Sequence, residues 1–284
     1  MKIAVLSGKG GTGKTFISVN LADAQTEGVY VDCDVEEPNG HLFFQPVWLK
    51  TESIYRKLPV IDAQKCNGCR VCVDFCQFKA LAYIANRVLV FDEVCHSCGG
   101  CALFCPEKAI TERDKEVGMI QYGKSLKTRI YTGTMLTKEV SGIPIIHSLL
   151  EAVKNEENVI IDCPPGSACS VMESIKEADY CLLVAEPTIF GQHNLAMVHE
   201  LVKLFKKPYG VVLNKCTEAD NPSKNYCIQE KIPLLMEISY DETLGKLQSE
   251  GRIPVREAVE YRRLFESLQK RIEEEAAHET TFSS

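Results

Sequence analysis

The sequence predicts a doubly wound α/β protein on a mostly parallel sheet, interrupted by a small α+β insert. Three observations carry this reading. A strand, a glycine-rich loop, a helix and a second strand open the chain. Apolar strands alternating with helices resume from about residue 158. Between these halves lies a cysteine- and glycine-rich stretch with few long apolar runs.

Taken in order, residues 2–6 (Lys-Ile-Ala-Val-Leu) form a short buried strand. A helix follows from about Lys14 to Thr26, with Phe16, Ile17, Val19 and Leu21 offered to a core. Gly28 to Cys33 is a second strand that ends in acidic residues. Strand, loop, helix and strand make a βαβ unit, which implies parallel strands covered by helices. The stretch from about Pro59 to Glu116 breaks the rhythm, and its extended edges, Tyr55–Ile61 and Val117–Tyr122, are the strands expected to carry it. Later strands are expected at Asn158–Asp162, Ala178–Ala185, Tyr209–Leu213 and Ile232–Ile238, with a helix over Asn194–Phe205. A closing helix should run from Val255 to about Ala277, and Glu279–Ser284 should fray. The division is therefore residues 1–58 with 117–284 as one domain, and 59–116 as the insert.

The 284 residues carry a net charge of −7, which argues against a surface that coats nucleic acid. No run of about 18 apolar residues suggests a membrane helix. The opening residues read as strand and glycine loop rather than secretory signal. The expected compartment is the cytoplasm, where thiols stay reduced. Fourteen cysteines then point to metal or redox work rather than disulfides.

Eight of the cysteines form an internal repeat. Cys66-x2-Cys69-x2-Cys72-x3-Cys76 is followed by Cys95-x2-Cys98-x2-Cys101-x3-Cys105-Pro106. This doubled run is similar to that of bacterial two-cluster ferredoxins, in which the fourth cysteine of each run ligates the other cluster. The resemblance implies one [4Fe–4S] cluster on Cys66, Cys69, Cys72 and Cys105, and a second on Cys95, Cys98, Cys101 and Cys76. Gly68, Gly99 and Gly100 would let backbone amides approach the sulfurs. Zinc knuckles use two CxxC pairs, which this spacing fits badly.

Gly8-Lys9-Gly10-Gly11-Thr12-Gly13-Lys14-Thr15 satisfies G-x-x-x-x-G-K-[ST] between a strand and a helix. Glycines curl such a loop so that amides face phosphate, and the helix N-terminus adds favourable charge. The nucleotide-binding set is Gly8, Gly10, Gly11, Thr12, Gly13, Lys14, Thr15 and Phe16. Lys14 is expected to bridge the β- and γ-phosphates, and Thr15 to ligate Mg²⁺. Asp32 and Asp34 lie at a strand's carboxyl end, where open α/β sheets bind ligands. Val159-Ile160-Ile161-Asp162 reads as a Walker B strand, with Asp162 holding Mg²⁺ through water.

Lys-Gly-Gly-x-Gly-Lys-Thr, starting at Lys9, resembles the deviant Walker A motif of the MinD/ParA ATPases. That superfamily includes the nitrogenase iron protein and the Mrp-type iron–sulfur carriers. The resemblance covers nearly the whole chain and identifies it as a superfamily member carrying an inserted ferredoxin domain. It implies that Lys9 reaches a partner's nucleotide in trans and that Asp34 orients the attacking water. It also implies that the loop of Asp162-Cys163-Pro164-Pro165-Gly166 senses γ-phosphate, and that Asn214 reads the adenine edge. Glu186-Pro187-Thr188 and Gly191–Asn194 look like the family's Glu-Pro-Thr segment.

The scattered cysteines carry less. Cys33, Cys163 and Cys181 are expected in the core. Cys169, after the Pro-Pro-Gly loop, could approach a dimer interface. Cys216 and Cys227 lie too far apart to supply the C-terminal CxxC of the Mrp-type carriers. The six histidines show no ligand spacing, with His96 a neighbour of the second cysteine run. Phe43, Phe44 and Trp48 are expected in the core. Unlike the membrane-binding tail of MinD, the C-terminal helix carries consecutive glutamates that an anionic leaflet would repel.

The expected activity is Mg-ATP hydrolysis, slow without a partner, coupled to electron transfer or to metallocluster assembly on a client. The implied partners are ATP, a second copy or a related ATPase, and a redox donor, acceptor or client protein, with neither nucleic acid nor membrane. One alternative is a positioning or partition switch whose clusters sense redox state. Another is a ferredoxin fused to a degenerate NTPase, against which Lys14, Thr15, Asp34 and Asp162 all stand.

Overall fold

The structure is a computed structural model that describes residues 1–217 and 220–282, with side chains to residue 277. Its elements are β1 (Lys2–Leu6), α1 (Lys14–Ala24), β2 (Val29–Asp32), α2 (Gly40–Phe44), β3 (Val47–Ile61), α3 (Val71–Phe75), β4 (Leu81–Ile84), β5 (Arg87–Val90), α4 (Gly100–Leu103), β6 (Ile110–Ser125), β7 (Thr128–Met135), α5 (Ile143–Ala152), β8 (Val159–Asp162), α6 (Cys169–Ile175), β9 (Tyr180–Ala185), α7 (Ile189–Leu204), β10 (Tyr209–Cys216), α8 (Pro222–Gln229), β11 (Leu234–Ser239), α9 (Glu242–Ser249), α10 (Pro254–Glu257) and α11 (Val259–Phe282).

Nine strands form one sheet in the order β11-β10-β9-β1-β8-β2-β7-β6-β3. From β11 to β7 neighbouring strands are parallel, and β6 and β3 close the edge antiparallel. Strands buried on both faces read as continuous apolar runs, as β1, β8 and β9 do. Alternate side chains feed two cores. Ala4, Leu6, Val29 and Val31 meet Ile145, Leu149, Val171 and Val198 of α5, α6 and α7 on one face. Ile3, Val5 and Tyr30 meet Phe16, Ile17, Phe265 and Leu268 of α1 and α11 on the other.

β3 and β6 run far beyond the short strands expected. β6 pairs with β7 only as far as Gly118 opposite Met135, whereas β3 and β6 stay paired out to Ile61 opposite Ile110. The free part is a two-stranded ribbon about 25 Å long at strand rise. It leaves the sheet at the end where β7 finishes, which is also where β1 hands over to the glycine loop. At its tip sits a small lobe holding α3, α4 and the β4–β5 hairpin, around Cys72, Leu81, Val88 and Ile110. The strands continue through residues 59 and 116, where the sequence placed boundaries.

Other expectations need correcting. Trp48 is 37% exposed, because β3 is the sheet's edge strand; Phe44 is buried as expected. The closing helix breaks at Ala258, whose backbone is extended, into α10 and α11. The tail expected to fray from Glu279 is helical to Phe282, and Ser283 and Ser284 lie outside the described residues. Among the described residues no helix is long and apolar enough to cross a membrane.

Candidate functional site

The loops after β1, β2 and β8 meet at the carboxyl edge of the sheet, the usual ligand edge of such folds. They wall a cavity of about 520 Å³, together with Gly245 and Gln248 of α9. Gly10, Gly11, Gly13, Lys14, Thr15 and Phe16 line it, as do Asp34 and Pro165. The loop turns through Gly13 at φ +95°, a left-handed backbone that glycine adopts without strain. A Cβ there would lie 2.1 Å from Nδ2 of Asn214. Gly8 is equally confined, since its Cβ would sit 2.2 Å from the Asn194 carbonyl oxygen. α1 begins directly behind, so its N-terminal turn faces the cavity.

Lys14 and Asp162 are brought together in the buried floor, with Nζ 2.6 Å from Oδ1 and the side chains 7% and 1% exposed. Burial pulls the Lys14 pKa down, but the Asp162 charge outweighs it and the net shift is upward. Tyr30 donates its hydroxyl to Asp162 Oδ2 at 2.9 Å, and Ser18 Oγ lies 3.1 Å from Oδ1. Asp32 accepts from the Gly40 and Asp34 amides at 3.0 and 3.2 Å. Burial, then the nearby Asp162 charge, pushes the Asp32 carboxyl up to about 7. Burial also lifts Asp34 to about 6, with Lys14 acting against it. Three carboxylates against one lysine leave the site short of positive charge, which suits it to a hydrated divalent cation.

Lys9, expected to act in trans, rests on its own chain, 2.8 Å from Glu186 Oε2. Lys215 takes the other oxygen at 2.8 Å and donates to the Gly11 carbonyl at 2.8 Å. Burial would raise the Glu186 pKa, but the two lysines hold it below the usual range. Asn214 donates Nδ2 to the Thr12 carbonyl at 2.8 Å. Its amide is thus tied to the loop, while the residue also lines a side cleft with Phe16, Tyr240 and Asp241.

Each quartet of cysteines expected to share a centre lines its own cleft. Cys76, Cys95, Cys98 and Cys101 face one of about 180 Å³. Cys66, Cys69, Cys72 and Cys105 face a narrower one of about 10 Å³. The repeat is structural as well. Gly68 and Ser97, Arg70 and Gly99, and Lys79 and Lys108 occupy matching places, all with left-handed backbones. The Ala80 and Ala109 amides each point at the sulfur four residues back, Cys76 and Cys105, at 3.3 Å. Phe75 and Phe104, also equivalent, pack at 4.8 Å between ring centroids. His96 stacks on Phe78 beside the wider cleft. All fourteen cysteines are free. Among the described residues no three His, Cys, Asp or Glu groups converge as a single-ion site. Cys33, Cys163 and Cys181 are in the core as expected, and Cys169 is exposed.

Tyr30, Ser18, Glu186 and Lys215 were not singled out for these roles from the sequence. Tyr30 alone had a signal, since strand alternation puts it on the same side as Asp32.

The CobQ/CobB/MinD/ParA nucleotide-binding domain matches residues 3–255. An uncharacterized protein of Methanocaldococcus jannaschii, MJ0578, is 35% identical over 221 residues, covering 76% of this chain and 78% of that one. The cell division ATPase MinD of Pyrococcus furiosus superposes with a TM-score of 0.59 at 19% identity, over 96% of this chain and 98% of that one. The septum site-determining protein MinD of Pyrococcus horikoshii, complexed with Mg-ADP, gives 0.58 at 18% identity over 94% and 93%. At these identities the two MinD structures share the fold.

Proposed function

The chain belongs to the CobQ/CobB/MinD/ParA nucleotide-binding family, and from that premise we propose that it is a Mg-ATP-hydrolysing iron–sulfur protein. Its nucleotide cycle would govern electron transfer to, or cluster assembly on, a partner protein. The observation that carries this reading is a juxtaposition. A phosphate cradle and two cysteine quartets, each lining its own cleft, hang from the same edge of one sheet.

The nucleotide half follows from charge. Lys14 would exchange Asp162 for the β- and γ-phosphate oxygens. Asp162, so released, would hold Mg²⁺ through water, with the Thr15 hydroxyl as a direct ligand. Asp34, half-exposed in the cavity wall, would orient the attacking water and accept its proton as a carboxylate. Lys9 must leave Glu186 to reach a nucleotide held by a second copy or a related ATPase. Asn214 would contact the base through the side cleft.

The groups around the cysteines fit iron–sulfur centres. Thiolates that hold such centres are usually met by backbone amides, and the Ala80, Ser97 and Ala109 amides lie 3.3, 3.4 and 3.3 Å from cysteine sulfurs. Ser97 Oγ is buried beside Cys95 and Cys98 with no partner among the described residues. Burial pushes the Cys101 thiol up to about 11, so it ionises readily only when a cation shares the site. Cys66, Cys69, Cys72 and Cys105 would hold one [4Fe–4S] centre, and Cys95, Cys98, Cys101 and Cys76 the other. Bound there, the pair would supply one-electron transfer.

Anaerobically reconstituted protein should bind about eight irons per chain, two cubanes. Cys69→Ala and Cys98→Ala should each remove about half. Lys14→Ala should abolish Mg-ATP binding and leave iron unchanged. About four irons or fewer in the unmodified chain, or ATP retained by Lys14→Ala, overturns the reading.

A further inference from the structure

Arg56 is 9% exposed, although it stands on a narrow ribbon just beyond the point where β6 parts from β7. Its guanidinium donates from Nη1 to the Cys95 carbonyl at 2.6 Å and from Nη2 to the Asp92 carbonyl at 2.9 Å. Nη2 also lies 3.2 Å from Oε2 of Glu139, a carboxylate only 8% exposed that takes Lys115 Nζ at 2.7 Å. Burying such a pair is costly unless its geometry is well satisfied, so what it gives the fold is fixed position more than stability. The planar fork does this by gripping two backbone carbonyls of the lobe and a side chain of the main domain together.

Each end of this clasp leads to a functional group. Cys95 belongs to the quartet of the wider cleft. Glu139 lies in the loop after β7, and β7 ends at Met135, whose amide donates to the Val35 carbonyl at 2.8 Å. Val35 directly follows Asp34 in the phosphate cavity.

We propose that Arg56 is a positioning residue: it sets the Cys95 side of the second quartet and, through Glu139, ties it to the Asp34–Val35 segment. Movement of that segment when Mg-ATP binds is thereby passed to the 92–95 turn. The proposal rests on the reading of Cys95 as a cluster ligand. It adds the route by which nucleotide state reaches that ligand.

The test uses full-length, anaerobically reconstituted wild type, Arg56→Gln and Glu139→Gln. A positive charge beside an iron–sulfur centre favours its reduced, more negative state. Arg56→Gln should therefore lower the reduction potential of one of the two centres, and Glu139→Gln should raise it, leaving the other centre unmoved. General loosening would not give shifts of opposite sign. In wild type, Mg-ATP should slow hydrogen exchange over residues 92–98 several-fold, and both variants should lose this response while still binding ATP. Potentials that move the same way in both variants overturn the proposal. So does exchange at 92–98 that ignores Mg-ATP in wild type, or responds equally in all three proteins. A chain that binds no iron refutes the cluster reading instead, and the exchange measurement still decides the clasp.

Discussion

A phenol with no exposure is tolerated only where its hydroxyl is bonded. Tyr30 meets that condition on Asp162, and burial, then the Asp162 charge, drives its pKa well above the ordinary value. It holds Oδ2 of Asp162 while Lys14 holds Oδ1. Tyr30→Phe removes one charged hydrogen bond and keeps the ring's packing on Phe44. It should cost about 1.5–3 kcal/mol in urea unfolding. It should also raise the Mg²⁺ concentration needed for half-maximal ATP turnover several-fold, since Asp162 loses an orienting contact. Strand alternation puts Tyr30 on the side of Asp32, but the bond to Asp162 joins strands whose pairing no local pattern reveals. Glu186 was hidden for the same reason: Lys9 lies far from it in the chain.

Gly10 and Gly13, both members of one motif, serve the loop between β1 and α1 in different ways. Gly13 has φ +95° and a neighbour where Cβ would go, whereas nothing lies within 4 Å of a Cβ on Gly10. Gly13→Ala should cost about 1–3 kcal/mol, push Asn214 off the Thr12 carbonyl and abolish protection by Mg-ATP against proteolysis. Gly10→Ala should leave stability within about 0.5 kcal/mol. Such short-range elements were legible in the sequence, and so were the cysteine runs, because a few adjacent residues define them. The ribbon was legible in part. Tyr55–Ile61 of β3 reads as extended, with Arg56 and Leu58 buried and Lys57 exposed, but residues 111–114 of β6 are polar and exposed without a break, so no apolar alternation marked that stretch as strand. β7 and α5, which follow it, went unassigned in the sequence.

At the scale of the whole molecule, the acidic floor couples stability to pH. Asp32 and Asp34 titrate near about 7 and about 6 in the folded chain, against about 3.9 unfolded. The folded state therefore holds these protons more tightly. The stability they contribute is complete below about pH 4 and is lost as pH rises through about 6 and 7. Between about pH 5 and 8 the Mg²⁺-free protein should lose Tm by calorimetry, and Asp32→Asn should lose less. Mg-ATP should restore most of the difference at the alkaline end, since the cation replaces the missing positive charge. A wild-type Tm that rises over this range, or an Asp32→Asn profile parallel to it, contradicts the assignment.

The lobe begins and ends at one doorway. Ile61 lies opposite Ile110, and the Asp62 amide donates to the Ala109 carbonyl at 2.8 Å. A passage of chain that departs and returns through neighbouring residues is a cassette. Replaced by a tight hairpin turn, it would leave every strand of the large sheet its existing neighbours; transplanted onto another antiparallel pair, it would bring its cysteines along in register. An insertion at that one surface turn is enough to set both cysteine quartets beside the phosphate cavity, with the strand order of the host unchanged.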